Sequence, residues 1–115
     1  MKVRIKGNSV RYRLSMPDIA RFGQDGYIEE IVDFGPSQLT YALQKGNAPS
    51  LWAEFTNNKI TIFMPSNWVD EWIETDKVGF GQKGPLYLLV EKDFQCIDNV
   101  AEDQSDNYPN PGLVC

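Results

Sequence analysis

The sequence predicts a β-rich α+β fold. Two ββαββ repeats would form one antiparallel, barrel-like body with a pseudo-two-fold axis and two short helices. Three observations carry this prediction: apolar residues alternate with polar ones in short stretches, Met-Pro pairs open two helical stretches, and the order of elements recurs. Residues 1–92 are therefore expected to be one domain built from repeats 1–45 and 50–92, and residues 93–115 an irregular, acidic, proline-containing C-terminal segment packed on that body.

The composition is that of a globular protein. The 115 residues are 42% hydrophobic and 23% charged, which is enough for one hydrophobic core and too little chain for two. No apolar run approaches the ~20 residues that span a bilayer, and no signal-type stretch follows the first residues, so we expect a cytoplasmic location and no membrane contact. The absence of histidine excludes Ser-His-Asp triads, Cys-His pairs and histidine-ligated metals.

The first repeat opens with a predicted β-hairpin. Apolar and basic residues alternate on both sides of the turn signal Gly7-Asn8, as they do in strands with one buried face. The apolar face would carry Val3, Ile5, Val10, Tyr12 and Leu14. The basic face would carry Lys2, Arg4, Lys6, Arg11 and Arg13.

A short helix and two strands complete the first repeat. Ser15 can cap the helix, Pro17 fits its first turn, and Asp18 closes a capping box. Gly23 and the pair Asp25-Gly26 are expected to end the helix. The stripe that the helix buries is predicted to be Met16, Ile19, Ala20 and Phe22. Strands are predicted over residues 27–34 and 39–43.

The same order of elements recurs in the second repeat. Strands are predicted over 51–55, 59–63, 78–80 and 86–90. A helix beginning at Met64-Pro65-Ser66 would bury Trp68, Val69, Trp72 and Ile73. The pair Met16-Pro17 recurs as Met64-Pro65 at an offset of 48 residues, and later matches have offsets of 46 and 47. Small changes of offset are what loop insertions between duplicated elements produce.

Two stretches resemble known families. The run NKITIFMP at residues 58–65 is similar to the basic-Val-Thr-Ile-Pro strand of the AbrB-type transcription regulators, whose two units interleave their hairpins. This resemblance implies that a tandem repeat would build such a body as a monomer, and we expect the protein to be a monomer or weak homodimer. The runs EKDFQC at 91–96 and EDQSDNYPNP at 102–111 resemble the C-terminal signature of a small uncharacterised bacterial family, which implies no activity.

Charge is distributed unevenly along the chain. Residues 1–21 carry a net charge of +5, whereas residues 93–115 hold five carboxylates and no basic residue. The AbrB-type resemblance implies DNA contact by the basic face of the first hairpin. At the offset of 48, however, the second repeat places Trp52, Glu54, Lys59 and Thr61 at the positions of Arg4, Lys6, Arg11 and Arg13. The basic face could therefore equally be a solvated surface or a docking site for the acidic segment.

Other motifs give weaker indications. The run Gly79 to Gly84 matches a GxGxxG pattern, but a strand follows it where a dinucleotide site needs a helix, so we interpret it as a hairpin loop. A metal site would use Cys96, Glu102, Asp103 and Asp106. The spacing of 19 residues between the two cysteines matches no structural zinc pattern, and the run from Asp103 lacks the glycine and the final acid of an EF-hand. The alternative is a buried Cys96 and an unengaged Cys115.

The sequence therefore predicts a non-enzymatic protein that interacts with a protein partner, with no catalytic residues and no cofactor. The alternatives are a DNA-binding regulator that uses the basic hairpin, with nucleic acid the less favoured partner, and a metal- or thiol-dependent binding protein. We also expect residues 93–111 to be ordered across the body, with Tyr108 as an anchor and carboxylates near the hairpin.

Overall fold

The computed structural model describes residues 1–94 of the chain. In this part eight strands and two helices follow one another as β1 (Lys2–Lys6), β2 (Ser9–Leu14), α1 (Met16–Asp25), β3 (Tyr27–Asp33), β4 (Gln38–Gly46), β5 (Trp52–Thr56), β6 (Lys59–Pro65), α2 (Ser66–Glu74), β7 (Gly79–Gln82) and β8 (Tyr87–Lys92). A β-rich α+β class is thus confirmed. The predictions for residues 95–115 lie outside the described residues.

The strands form two four-stranded sheets, ordered β1-β2-β8-β7 and β3-β4-β6-β5. Each sheet joins two antiparallel hairpins through a parallel pair at its centre, β2 beside β8 in the first sheet and β4 beside β6 in the second. The prediction of one antiparallel, barrel-like body is therefore wrong: each sheet contains a parallel pair, and neither sheet is closed. Alternation with period two shows which face of a strand is buried, but it does not show in which direction a neighbouring strand runs.

Helix α1 begins where the sequence predicts, and it ends at Gly26 but not at Gly23, which lies within the helix. Ser15 caps it, since its hydroxyl accepts from the Asp18 amide at 3.3 Å and the Asp18 carboxylate accepts from the Ser15 amide at 3.0 Å. Gly26 ends it in the left-handed conformation, with φ of 73°. The predicted buried stripe is only partly right. Asp18 and Phe22 are buried, whereas Met16 and Ala20 are exposed because they lie on the opposite side of this short helix.

Helix α2 begins two residues later than predicted. Met64 and Pro65 complete β6 and are buried there, so the helix starts at Ser66. Its buried side chains are Val69 and Trp72, and Trp72 meets Phe22 of α1 edge to face at 6.4 Å between ring centroids. Ile73, which was predicted to be buried, is 41% exposed at the edge of this contact.

The core lies between the two sheets and beneath the two helices. Its buried residues are Val10, Tyr12, Leu14, Phe22, Ile28, Leu43, Leu51, Ile62, Met64, Val69, Trp72, Leu88 and Val90. The Tyr12 hydroxyl links the sheets by donating to the Ile60 carbonyl at 3.2 Å. Of the predicted apolar face of the first hairpin, Val10, Tyr12 and Leu14 are therefore buried and Val3 is half-buried, whereas Ile5 lies near the hairpin turn and is 58% exposed. Neither helix among residues 1–94 has the length and apolar character to cross a membrane.

Candidate functional site: the outer face of the first sheet

The strand register places the five predicted basic residues on one face. Across the β1–β2 hairpin, Lys2 lies opposite Arg13, Arg4 opposite Arg11, and Lys6 opposite Ser9. Because Val10, Tyr12 and Leu14 point into the core, the alternating Arg11 and Arg13 point outwards with the basic residues of β1. We call this surface the basic face. Like charges directly opposite one another repel, so the face favours counterions.

Strand β8 supplies one such counterion and two apolar side chains. In its parallel register with β2, Glu91 lies opposite Arg13, Leu89 opposite Arg11, and Tyr87 opposite Ser9. Glu91 Oε1 lies 3.0 Å from Arg13 Nε and 3.2 Å from Arg11 Nε. One carboxylate thus holds two arginines in place.

A second counterion lies just after β8. The Asp93 carboxylate is 2.9 Å from the Lys2 ammonium, and the Asp93 amide donates to the Leu14 carbonyl at 2.8 Å, continuing the β2–β8 pairing. The end of the basic face that holds Lys2 and Arg13 is therefore charge-paired within the chain.

Residues 1–94 leave the opposite end of the basic face uncovered. Arg4 and Lys6 are exposed and form no ion pair with any residue among 1–94. A groove of about 250 Å³ runs between them and β8, lined by Arg4, Lys6, Ser9, Val10, Arg11, Tyr87 and Leu89. Cations beside a tyrosine and a leucine suit a ligand that carries carboxylates next to apolar groups.

Gly79 sets the position of Glu91 relative to β7. Gly79 of β7 pairs with Glu91, and a Cβ atom at Gly79 would lie 2.6 Å from the Glu91 Cα. Gly79 therefore permits a close approach of the two strands that no other residue allows. The loop after β7 leads into β8, so the GxGxxG run belongs to a β-hairpin, as the sequence analysis predicts.

The outer face of the second sheet has different chemistry. Trp52 and Phe63 stack with ring centroids 4.1 Å apart, and Glu54 is exposed on the same side of the β5–β6 hairpin. Lys59, the one cation of that hairpin, lies 3.8 Å from Glu29 and 4.9 Å from the ring centre of Tyr27. Among residues 1–94, the row of neighbouring cations therefore lies on the first sheet.

A partly buried charge cluster, which was not predicted from the sequence, joins α1 to β3. The amino group of Met1 lies 2.8 Å from Asp18 and 3.0 Å from Glu30. Burial alone would lower the pKa of this amino group, but its hydrogen bonds to the two carboxylates outweigh that effect and raise the pKa. Burial would raise the pKa of Asp18, whereas the hydrogen bonds from Met1 and Ser15 lower it. Every charge in the cluster has a partner, which is typical of a structural role.

The predicted metal ligands Cys96, Glu102, Asp103 and Asp106 lie outside the described residues. Within residues 1–94, no three Cys, His, Asp or Glu side chains gather to hold a metal ion. Glu91, Tyr87 and Leu89, which also belong to the basic face, were not predicted from the sequence. The only local signal was the charged pair Glu91-Lys92 at the end of an apolar strand.

Comparison with known proteins places the chain in a family. No curated protein and no solved structure matches it. A family model matches residues 1–112, which include both sheets, both helices and most of the acidic segment. Since that match extends over nearly the whole chain, the protein belongs to DUF7009, a family of unknown function.

Proposed function

We propose that the protein is a non-enzymatic interaction module that binds an acidic segment of a protein partner in the groove of the basic face. The observation that carries the proposal is the pair of exposed cations Arg4 and Lys6 beside Tyr87 and Leu89. A non-enzymatic role is supported by the lack of histidine and by the pairing of the buried carboxylate Asp18 with Met1 and Ser15.

The groove offers both charge and apolar contact. An Arg guanidinium binds a carboxylate with two parallel hydrogen bonds, and a bound carboxylate would relieve the repulsion between Arg4 and Arg11. Exposed ion pairs contribute only about 0–1 kcal/mol each. Contact with Tyr87 and Leu89 must therefore supply much of the affinity, and we expect a weak complex with a Kd on the order of micromolar.

Binding of a labelled peptide of alternating glutamate and valine tests this proposal, with fluorescence polarisation as the readout. The double variant Arg4→Gln/Lys6→Gln should bind about ten-fold more weakly, since two close charge contacts are lost. Arg21→Gln/Lys45→Gln is the matched control, because it removes one arginine and one lysine that are also exposed and unpaired among residues 1–94. Equal losses in both variants would mean that the peptide responds only to net charge, and would contradict the proposal.

We also infer that the fold arose by duplication of a ββαββ unit, as in the swapped-hairpin domain of the AbrB-type regulators. Each sheet combines one hairpin from the first half with one from the second, which supports this inference. A spacing of 50 residues separates the turns Gly7-Asn8 and Asn57-Asn58, the helix caps Ser15 and Pro65, and the facing aromatics Phe22 and Trp72. This spacing replaces the predicted 48. In an experimental structure, residues 2–46 should superpose on 52–92 by a rotation of about half a turn.

A DNA-binding regulator is the second candidate, favoured by the gathering of five cations on one hairpin. Glu91 and Asp93 already neutralise part of this surface, and the other hairpin presents Trp52 and Glu54. With Arg4 and Lys6 as the cations of the basic face that have no ion pair among residues 1–94, binding to duplex DNA should be weak, with a log–log salt slope no steeper than about 2. Sub-micromolar binding at low salt with a steeper slope would instead put DNA binding first.

A further inference from the structure

The acidic segment of this chain leaves β8 beside the basic face. Its first carboxylate, Asp93, lies 2.9 Å from the Lys2 ammonium and is mostly buried. The amide of Asp93 is bonded to Leu14, so the backbone still follows β2 at that point. The chain beyond Phe94 therefore starts at the charge-paired end of the surface whose other end is the open groove.

We propose that residues 98–106 fold back over the basic face and occupy the groove in cis, so that the chain competes with its own partner. That the groove binds an acidic segment of a protein partner rests on the proposed function, whereas the docking of residues 98–106 does not. Asp98, Glu102, Asp103 and Asp106 are the carboxylates of this segment, and no lysine or arginine accompanies them in residues 93–115.

Charge complementarity supports this occupant. The basic face carries five cations, Lys2, Arg4, Lys6, Arg11 and Arg13, against two carboxylates, Glu91 and Asp93. Three cations are thus in excess, and they are concentrated at the groove. The four carboxylates that follow Asp93 are of the opposite sign and are covalently held nearby.

The distances are within reach of the chain. From Lys2 to Lys6, β1 covers about 13 Å, at roughly 3.3 Å per residue. Residues 95–98, when extended, cover about the same distance, and residues 95–103 cover more than twice that. The segment can therefore reverse direction after Phe94 and still bring Asp98, Glu102 and Asp103 to Arg4, Lys6 and Arg11.

Tethering makes this competition effective. A short linker holds a segment at an effective concentration of roughly millimolar, so even a weak contact would occupy the groove most of the time. An acidic partner must displace the segment before it binds. Neutralising the segment, by Asp98→Asn, Glu102→Gln, Asp103→Asn and Asp106→Asn together, should raise the affinity for the glutamate–valine peptide about ten-fold.

Paramagnetic relaxation enhancement in the full chain tests where the segment lies. A nitroxide is attached at residue 107 through Asn107→Cys, in a chain that also carries Cys96→Ser and Cys115→Ser. We expect the amide signals of Arg4, Lys6 and Arg11 to broaden, those of Glu54 and Thr56 on the second sheet to stay sharp, and the broadening to disappear in the neutralised variant. Equal broadening on both sheets, or broadening that survives neutralisation, would overturn the proposal.

Two further measurements are needed. One distinguishes docking within a molecule from docking between two molecules, and the other distinguishes failure of the docking from failure of the proposed function. In the first, spin-labelled chain without isotope label is mixed with isotopically labelled chain that carries no nitroxide. Docking in cis predicts no broadening of the signals of the isotopically labelled chain. Broadening in that mixture would assign the contact to a second copy and overturn the proposal. If the chain with its carboxylates intact shows the cis broadening but the neutralised variant fails to bind the glutamate–valine peptide, the proposed function is wrong and the docking stands. If it binds no better than the wild type and broadening is absent, the docking is wrong and the proposed function stands.

Discussion

The outer faces of the two sheets have the same strand arrangement but opposite chemistry. In each sheet an edge hairpin joins a second hairpin through a central parallel pair. On the first sheet this arrangement presents Arg4, Lys6 and Arg11 to solvent, whereas on the second it presents the stacked pair Trp52 and Phe63. The comparison teaches that the strand pattern determines which side chains share a face, while their identity alone determines what that face can bind.

The largest expected effect concerns the strand pair that holds Glu91 on the basic face. Gly79→Ala should destabilise the protein by about 2–4 kcal/mol, because the new Cβ would clash with the Glu91 backbone and force β7 away from β8. Gly81→Ala is the control on the same strand, since a Cβ there meets its nearest neighbour, the Leu89 side chain, at 3.4 Å. Denaturant midpoints measure both. Similar losses at the two glycines would show that the close approach at Gly79 is not required.

The charge cluster around Met1 predicts how stability depends on pH. The pKa of the Met1 amino group is raised, so its contribution is complete below the ordinary value of 8.0 and is lost as the pH rises above it. The pKa of Asp18 is lowered, so its contribution is complete above the ordinary value of 3.8 and is lost as the pH falls below it. Stability should therefore show a plateau between these values.

Asp18→Asn should lower the stability on that plateau. It should also make the fall in stability on the acid and alkaline sides, the two limbs of the curve, less steep. The alkaline limb should be reduced but not abolished, because Glu30 still faces the amino group at 3.0 Å. Thermal unfolding at a series of pH values measures this effect. Asp25→Asn is a suitable control, since Asp25 is exposed at the end of the same helix. Unchanged limbs in Asp18→Asn would contradict the assigned role of the cluster.

A smaller effect concerns the difference in charge between the two faces. Glu91→Gln would release Arg11 and Arg13 and should tighten binding of the glutamate–valine peptide about three-fold, at a cost of about 1 kcal/mol in stability. Glu54→Gln on the second sheet removes the same charge from the other face and should leave binding unchanged. If both substitutions tighten binding equally, the peptide senses the charge of the whole protein and the two faces do not differ.

Local features of the fold could be predicted from the sequence because neighbouring residues determine them. The cap at Ser15, the helix end at Gly26 and the alternating faces of β2 depend on residues a few positions apart. The direction in which β2 meets β8 depends on contacts between distant parts of the chain, and alternation carries no information about it. The helix stripe was displaced because Phe22 turns towards Trp72 of the other helix, which leaves Met16 exposed.

The same distinction applies to the candidate site. The basic residues could be assigned to one face because they alternate within a single hairpin. Glu91 could not be assigned to them, since it lies 78 residues from Arg13 and ends an apolar strand. The contact between Met1 and Glu30 was likewise hidden, because it requires the first residue to meet a strand of the other sheet.

Charge reversal tests the central claim, that the groove of the first sheet binds acidic segments, most directly. Arg4→Glu/Lys6→Glu should abolish detectable binding of the glutamate–valine peptide and create binding of the matched lysine–valine peptide, measured by fluorescence polarisation. Both residues are exposed, so the fold should tolerate the change. The same reversal at Arg21 and Lys45 should change neither affinity by more than about two-fold. If the lysine peptide gains no affinity for Arg4→Glu/Lys6→Glu, or gains it equally in the control, the groove is not the binding surface.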